Sequence, residues 1–357
     1  MKKALIINEG YSNNLGDQAI KKAIESFFVK KGYRTSFLYL SNPAIKKLPK
    51  YTYLNTNPNV KIKKTFVNKL KSFLLFIYWY FKYKKIIIEE LKKNDFDLVV
   101  IGGGQLIISS GSFALSGFSI AIFWYTFLAK RYSKAKIFII GVGSSKKFNW
   151  FEKKLYTKSF KRIDRVRVRD SFSKQKLKEY FNVDSQLMPD IAFFGDDQNL
   201  DNGNIKKNNA LIGVTNYDEV YRRYNQDNLT KKEYYDLLFD KYQEYKSKGY
   251  NTRVFYTTIT DAIESEEFIK YIYQEYGIKI EIMNINNLED LLSVLKDTDI
   301  VFSGRMHALI LAMKNNCDIE AFLVSEKLKS FEKEYILNKS DVIKLREEIS
   351  KELENYL

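Results

Sequence analysis

The strongest constraint on the fold is a recurring pattern in which a short apolar run is followed by a glycine or polar turn and then by a helical segment. The runs "DLVVIGGG" (97–104) and "KIFIIGVGS" (136–144) are continuous and apolar, as is typical of strands buried on both faces of a parallel sheet. "RVRVRD" (165–170) alternates with period two and gives way to helical spacing, so we expect Asp170 or Ser171 to cap a helix. These strand–helix units predict an α/β fold.

The composition changes near residue 195, which divides the chain into two such series. Residues 195–209, "GDDQNLDNGNIKKNN", are rich in Gly, Asn and Asp and have little to bury, and they predict a linker at 196–209. The second series contains further strand-like runs: "ALIGV", "TRVFYTT", "IKIEIM", "TDIVF" and "IEAFLV". We therefore predict two Rossmann-like domains, 1–195 and 210–357, with a ligand-binding cleft at the carboxyl ends of their strands.

Composition limits the chemistry that a site could use. The 357 residues include one cysteine, Cys317, and one histidine, His307, which excludes an internal disulfide and a zinc centre of normal ligand number. Any metal would be a hard cation held by carboxylates, and we expect none. Lys and Arg exceed Asp and Glu by 59 to 43, a formal charge of +16. This excess favours phosphorylated metabolites, nucleic acid or an anionic membrane as partners, unless the lysines merely decorate the surface.

The lone histidine lies where a strand gives way to a helix. "TDIVF" (298–302) ends a strand, "SG" (303–304) makes the turn and "RMHALILAMK" (305–314) begins the helix. Arg305 and His307 would then occupy the first helical turn, where free backbone N–H groups and the helix dipole attract anions. The pattern indicates an anion pocket with a proton donor; the alternative is a histidine that only fills the core.

Three further places could carry chemistry. Gly102–Gly104 would let the backbone approach a ligand, but the spacing of a dinucleotide-binding fingerprint is missing, so we expect no nicotinamide cofactor. Asp17 begins a helix in "NLGDQAI" (14–20), either as its N-cap or as a substrate-facing residue. Arg169 lies at the end of its strand, where a guanidinium can bind a carboxylate or phosphate through two hydrogen bonds.

Taken in order, these segments resemble the polysaccharide pyruvyl transferase family. The resemblance runs from Ile7 to Lys327 and rests on "NLGDQAI" (14–20), "GGG" (102–104), "GVG" (141–143), "VRDSFS" (168–173), "MPDIAF" (188–193), "SGRMHA" (303–308) and Lys327 in "VSEKLKSF". It implies a two-domain, glycosyltransferase-B-like fold and the transfer of pyruvate from phosphoenolpyruvate to two hydroxyls of a sugar. It also implies that the reaction requires neither a metal nor a nucleotide cofactor.

The resemblance also implies roles for individual residues. His307 would protonate the methylene carbon of phosphoenolpyruvate, and Asp17 is the second catalytic candidate. The expected substrate-binding residues are Arg169, Arg305, Lys327, Gly103, Gly104, Asn14 and Ser303. The N-terminal domain would hold the acceptor and the C-terminal domain the donor.

Two functions outside this family stay open at the level of sequence. The same fold is compatible with a glycosyltransferase that uses a nucleotide sugar, because a fold does not fix a function. The positive charge is compatible with a nucleic-acid-binding protein, but the aromatic residues follow core patterns and no recognised nucleic-acid-binding motif is present. We therefore expect no nucleic acid partner.

Two apolar stretches bear on contact with a membrane. Residues 102–129 carry no charge, but their glycines and serines favour a buried loop and helix over a membrane span. Segment 66–91 matches no motif of the family; it has an apolar stripe at helical spacing, bordered by lysines at 63, 64, 69, 71, 82, 84 and 85. It predicts a helix that lies on an anionic membrane or, alternatively, one that packs against the sheet or a second subunit.

The expected location follows from the N-terminus and from this segment. The apolar run at the N-terminus covers four residues before Asn8, too few for a signal peptide, so we expect a cytoplasmic protein. A basic amphipathic helix would hold it at the inner face of the cell membrane. Because the resemblance implies an acceptor among surface-glycan precursors, we predict a glycan linked to a lipid diphosphate.

Overall fold

The structure, a computed structural model, describes residues 1–56, 69–111, 114–195, 207–222 and 229–354. The strands are β1 (Lys3–Asn8), β2 (Arg34–Tyr39), β3 (Leu98–Ile107), β4 (Lys136–Ser144), β5 (Arg165–Val168), β6 (Gln186–Leu187), β7 (Asn209–Gly213), β8 (Asn251–Phe255), β9 (Ile300–Ser303) and β10 (Asp318–Ala321). The α-helices are α1 (Leu15–Lys30), α2 (Lys69–Asn94), α3 (Gly117–Tyr132), α4 (Trp150–Phe160), α5 (Ser171–Phe181), α6 (Lys231–Ser247), α7 (Ile259–Tyr276), α8 (Leu288–Lys296), α9 (Met306–Lys314), α10 (Glu326–Phe331) and α11 (Val342–Glu354).

Two parallel sheets organise these elements. The first has six strands in the order β2-β1-β3-β4-β5-β6, and the second has four in the order β10-β9-β7-β8. The strand pairs in both sheets run parallel. Parallel neighbours must be joined by crossovers, which the helices supply. The sequence-based prediction of an α/β fold built from two Rossmann-like units is confirmed.

Alternation of side chains along the first sheet separates two cores. In β1, Leu5 and Ile7 face α2, α3, α4 and α5, whereas Ala4 and Ile6 face α1 and the short 3-10 turn Ile191–Phe193. The centre of the sheet is therefore buried on both faces, which explains why β1, β3 and β4 are continuously apolar in sequence.

The second of these cores continues into the C-terminal half of the chain. Ile6 of β1 belongs to the same cluster of buried side chains as Leu309 of α9. The last helix, α11, also returns to the first sheet: Arg346 Nε donates a hydrogen bond of 2.9 Å to the carbonyl oxygen of Phe193. The two sheets therefore share packed side chains, and their carboxyl edges meet at the junction.

The start of α1 differs from the sequence-based expectation. The helix begins at Leu15, because the side chain of Asn14 accepts a hydrogen bond of 2.9 Å from the backbone N–H of Gly16 and so caps it. Asp17 lies in the first turn instead. The interpretation of Asp17 as the N-cap is therefore wrong, and its carboxylate is available for other contacts.

Two further expectations meet the structure differently. The run "IKIEIM" (278–283) is not a regular strand and joins β8 only at a single bridge between Ile282 and Val254. Two backbone hydrogen bonds form this bridge: Val254 N–H donates to the carbonyl oxygen of Glu281, and Met283 N–H donates to that of Val254. Residues 196–206 of the predicted linker lie outside the described residues, and β7 begins at Asn209. The domain boundaries stay a prediction.

In the uncharged stretch 102–129, β3 ends at Ile107 and α3 begins at Gly117 after the cap Ser116. The prediction of a buried helix is confirmed. The loop before it is buried only in part, since Ser110 and Gly111 are exposed, and residues 112–113 lie outside the described residues. Within the part of the chain that the structure describes, no helix is both long and apolar enough to cross a membrane.

The close approach of β3 to α1 depends on Gly103. Its φ is +71°, and a Cβ at this position would lie 1.9 Å from Cγ2 of Ile20. Residues with a side chain rarely adopt that φ, and the neighbouring isoleucine leaves no room for one. We predicted a substrate-binding role for Gly103; the observed contact is one of packing.

We expect Gly103→Ala to lower the free energy of unfolding by at least about 2 kcal/mol, because positive φ costs alanine about 1–2 kcal/mol and overpacking adds about 1–3. Gly117→Ala is the matched control, since nothing lies within 4 Å of its Cβ position. Urea unfolding measures both, and equal midpoints for the two variants would contradict the prediction.

Candidate active site

The candidate site lies at the junction of the sheets, where the N-termini of α1 and α9 meet. His307 is the second residue of α9 and is 9% exposed. Its imidazole lies against Gly16, where a Cβ would be only 2.7 Å from Nδ1. Glycine at position 16 therefore leaves the space that the imidazole occupies. The backbone N–H of Leu15 donates a hydrogen bond of 2.9 Å to the carbonyl oxygen of Thr257, which also ties the start of α1 to the C-terminal unit.

A buried carboxylate, Asp190, lies between the histidine and an arginine. Its Oδ2 is 3.5 Å from Nε2 of His307 and accepts a hydrogen bond of 3.1 Å from Nη1 of Arg169. Its Oδ1 accepts from the backbone N–H of Ala192 at 3.0 Å. Burial raises the pKa of Asp190, but contact with His307 and the charge of Arg169 outweigh it and hold the pKa well below its usual range. Asp190 is therefore ionised at neutral pH.

The imidazole itself is held in balance. Burial lowers the pKa of His307, the positive charges of Lys327 and Arg169 lower it further, and Asp190 opposes them. The contact of 3.5 Å with Asp190 is too long for a strong hydrogen bond. The lowered pKa of His307 favours the neutral imidazole in the free protein. A negative ligand would favour its protonated form.

Arg169 follows β5, at the carboxyl edge of the first sheet. Its guanidinium lies directly on Gly143, where a Cβ would be 2.7 Å from Nη2. Besides Asp190, it pairs with Asp170 at 3.6 Å between Nε and Oδ2. Arg169 is 4% exposed, and its contacts with two carboxylates and a glycine fix the guanidinium in place. It lies at the end of its strand, where sequence analysis placed it.

Lys327, in the first turn of α10, shares this environment. Burial and the charge of Arg169 lower the pKa of Lys327 to about 7, although Asp190 and Asp17 oppose the shift. A lysine with that pKa is partly neutral at physiological pH. It gains a proton when negative charge arrives beside it.

Asp17 completes the cluster from the side of α1. Its Oδ2 accepts a hydrogen bond of 3.0 Å from Oγ of Ser12, and its Oδ1 would lie 3.6 Å from a Cβ at Gly104. Burial raises the pKa of Asp17 despite the nearby charges of His307 and Lys327. A carboxylate with a raised pKa is a stronger base, as general base catalysis requires.

Arg305 is the N-cap residue of α9 and pairs with a residue that sequence analysis did not single out. Its Nε and Nη2 donate to the two carboxylate oxygens of Asp261 at 2.9 and 2.6 Å. Asp261 is fully buried, while 28% of the Arg305 side chain is exposed. This bidentate pair fixes the guanidinium plane and leaves part of the arginine accessible.

The remaining predicted residues make internal contacts. Asn14 caps α1, and Gly103 packs against Ile20. Ser303 is buried, and its Oγ accepts a hydrogen bond of 3.0 Å from the backbone N–H of Arg305. These contacts shape the turns that carry Asp17 and His307. The structure thus brings His307, Arg169, Lys327 and Asp17 together and places Asn14, Gly103 and Ser303 in support of them.

Sequence analysis assigned no role to Asp190 or Asp261. Both pair with arginines that are distant in sequence, by 21 and 44 residues, so no local pattern reveals them. The one available signal for Asp190 was its place in "MPDIAF". Among the described residues, no group of three or more His, Cys, Asp or Glu could hold a metal ion.

The architecture is an α/β fold of the glycosyltransferase-B type, with the candidate site between two Rossmann-like units. The model of the polysaccharide pyruvyl transferase family matches residues 14–317, and the chain belongs to this family. It is therefore a pyruvyltransferase, as the resemblance implied. No curated protein matches the chain.

Solved structures of similar architecture come from other enzymes. UDP-GlcNAc 2-epimerase from Methanocaldococcus jannaschii is 13% identical, with 98% of this chain and 93% of that chain covered and a TM-score of 0.50. A glycosyltransferase from Rickettsia africae ESF-5 is 14% identical, with 98% and 91% covered and a TM-score of 0.49. The likeness to the epimerase, at this identity, concerns the fold alone.

Because His307 is the only histidine, one imidazole signal reports on it. In untagged protein carrying isotope-labelled histidine, we expect NMR to give a pKa below the ordinary value of about 6.5, since burial lowers it. Asp190→Asn removes the charge that opposes this shift, so the pKa should fall further. Asp184→Asn, on a carboxylate that is 89% exposed, should leave the pKa unchanged. A pKa that rises in Asp190→Asn would contradict the assignment.

Proposed function

We propose that the protein moves the pyruvyl group of phosphoenolpyruvate onto two hydroxyls of a sugar in a lipid-linked precursor of a surface polysaccharide. The observation that carries the proposal is the convergence of Arg169, His307 and Lys327 around the carboxylates of Asp190 and Asp17. Such a cluster is suited to a small molecule with more than one negative group. Phosphoenolpyruvate has a phosphate and a carboxylate.

The donor's two anionic groups have matching partners. Lys327, with its pKa lowered to about 7, takes up a proton as the donor binds, and Arg169 is already held in place by Asp190. The free backbone N–H groups at the start of α9 add fixed donors. Arg305 supplies a further cation at the same helix end.

Protonation of the donor begins the transfer. His307 gives its proton to the methylene carbon, and the electron pair of the C2–C3 double bond forms the new C–H bond. C2 becomes electron-poor, so the oxygen of a sugar hydroxyl bonds to it and passes its proton to a base, a role that we assign to Asp17. The second hydroxyl then displaces phosphate, which leaves with the electron pair of its C2–O bond.

We expect His307→Gln to lower turnover by about 10²–10⁴-fold, the usual contribution of a general acid, while phosphoenolpyruvate still binds. Lys327→Ala and Arg305→Ala should instead weaken donor binding. Calorimetry with phosphoenolpyruvate and phosphate release with a panel of p-nitrophenyl hexopyranosides separate the two effects. Near-normal turnover in His307→Gln would end the assignment; release of a nucleotide from a nucleotide-sugar donor would point to a glycosyltransferase.

Contact with a membrane is the second part of the proposal, and α2 supports it. Trp79, Tyr83 and Ile87 on one side of α2 are buried against the first sheet. The opposite side exposes Leu74, Leu75, Ile77, Tyr78 and Phe81, which are 37–63% exposed. The helix packs against the sheet with one face and presents apolar side chains outward with the other, and the outward face supports the membrane proposal.

Four of the exposed residues, Leu74, Ile77, Tyr78 and Phe81, belong to the stripe predicted from sequence. Phe66 and Val67 lie outside the described residues, and the side chains of Leu70 and Phe73 are likewise outside them. Lysines continue the same surface: Lys82 Nζ lies 5.3 Å from the ring centre of Tyr78, and Lys84 Nζ lies 4.6 Å from that of Phe81. Aromatic rings flanked by lysines are suited to anionic lipid headgroups.

The orientation of α2 relates this surface to the site. The helix leads into the start of β3 and runs antiparallel to the strands, so its N-terminal half lies toward the carboxyl edge of the sheet. Asp17 and Gly104 lie at that edge. A membrane against α2 would therefore bring a lipid-diphosphate-linked acceptor close to the site.

We expect the protein to float with vesicles that contain anionic lipid, and replacement of Lys82, Lys84 and Lys85 by glutamate to release it, since each lysine near the surface contributes about 1 kcal/mol. Glutamate at the exposed Lys246, Lys270 and Lys344 makes the same change in net charge elsewhere and should leave flotation intact. If the unaltered protein never floats, the membrane proposal is wrong and the pyruvyl-transfer proposal is unaffected.

A further inference from the structure

Formation of a ketal requires the removal of two hydroxyl protons. Each sugar oxygen loses its proton as it bonds to C2. When the reaction is complete, one of these protons has restored the proton that His307 gave to the methylene carbon, and the other has left with phosphate. Asp17 can accept one of the two. A second base at the acceptor side would accept the other before it passes to His307 or to phosphate, and this inference rests on the proposed function.

We propose that Glu9 is this second base, which binds and deprotonates the other hydroxyl of a sugar diol. Glu9 directly follows β1, at the carboxyl edge of the first sheet, in the same turn that leads to Asp17. Ser12 ties the two together: its backbone N–H donates to the carbonyl oxygen of Glu9 at 2.9 Å, and its Oγ donates to Asp17 Oδ2 at 3.0 Å. Glu9 and Asp17 therefore belong to one hydrogen-bonded turn.

The carboxylate of Glu9 is held in position rather than left to move in solvent. Its Oε1 accepts hydrogen bonds from the backbone N–H and the Oγ of Ser41, at 2.8 and 2.7 Å. The hydroxyl of Tyr39 also hydrogen-bonds to the carboxyl group. Three donors from the end of β2 thus orient a half-buried carboxylate, as expected of a residue that must meet one hydroxyl in a defined geometry.

The charges around Glu9 suit a base that works near neutral pH. Burial raises the pKa of Glu9 to about 7; the hydrogen bonds from Ser41 and Tyr39 oppose the shift, and the charge of Asp17 adds to it. Tyr51 on the following loop and Tyr125 on α3 are the other titratable groups that face it. The efficiency of a general base is greatest when its pKa lies near the working pH.

An aromatic wall beside Glu9 indicates the class of acceptor. The rings of Tyr11 and Phe37 lie 4.4 Å apart, and those of Tyr11 and Tyr39 lie 6.1 Å apart. The loop after β2 supports the wall, because the Tyr51 hydroxyl donates to the carbonyl oxygen of Tyr11 at 2.6 Å. Lys21 Nζ lies over the rings of Tyr11 and Phe37, 5.5 and 4.8 Å from their centres. The partly exposed ring of Tyr39 beside Glu9 is therefore the face that would stack on the C–H surface of a pyranose. A sugar with two neighbouring hydroxyls fits both features.

The test compares Glu9→Gln with Glu179→Gln, a carboxylate of the same unit that pairs with Lys176 on α5. With phosphoenolpyruvate and the p-nitrophenyl hexopyranoside panel, Glu9→Gln should lower phosphate release by at least about 100-fold. Its calorimetric affinity for phosphoenolpyruvate should be unchanged. Turnover of the unaltered protein should rise as pH increases through about 7, and this step should vanish in Glu9→Gln.

Tyr39→Phe provides a readout that a purely structural role would not move. The variant loses a hydrogen bond that lowers the pKa of Glu9, so the pH step should shift to higher pH. Glu9→Gln with normal turnover and an unchanged pH profile would overturn the inference. If the unaltered protein does not bind phosphoenolpyruvate, the proposed function fails instead; if it binds the donor but releases phosphate with no hexoside, the sugar-diol acceptor is refuted.

Discussion

The site depends on one buried carboxylate, Asp190, and on the arginine and the histidine that contact it. A carboxylate that is 2% exposed is costly to bury unless it is paired and hydrogen-bonded. Its partners come from both halves of the chain: Arg169 follows a strand of the first sheet, and His307 begins a helix of the second. The electrostatic requirement of one residue therefore fixes how two Rossmann-like units meet and sets the distance between the anion-binding arginine and the proton donor.

Close packing around this carboxylate depends on two glycines. The imidazole of His307 lies where Gly16 has no Cβ, and the guanidinium of Arg169 lies where Gly143 has none. Gly16 is the second residue of α1 and Gly143 lies near the end of β4. Both are at the carboxyl edge of the first sheet, where parallel strands end and ligands bind in this class of fold. The backbone of one unit thus forms the surface on which the charged side chains rest, so the site is shaped before any substrate arrives.

Much of this arrangement could be predicted from sequence because it follows from local patterns. Continuous apolar runs and helical spacing identified the parallel sheets, and the position of strand ends brought His307, Arg169 and Asp17 to one edge. The pairing of Asp190 with Arg169 and of Asp261 with Arg305 was missed, because such contacts join distant residues and depend on how two sheets pack. The cap of α1 was misplaced for a local reason: Asn14 and Asp17 are both good cap residues, and only the hydrogen bond to Gly16 decides between them.

The same electrostatics bear on how a chain with one histidine would carry out the proposed acid catalysis. In the free protein, burial lowers the pKa of both His307 and Lys327. The positive charges nearby lower both pKa values further, because they disfavour a second protonated group beside them. A bound dianion reverses this balance, because its negative charge favours protonation of both groups. The acid is therefore charged chiefly when the donor is present, which limits unproductive protonation elsewhere. Asp190 stays ionised in either state. Its negative charge is therefore constant, while the protonation of His307 and Lys327 changes when the donor binds.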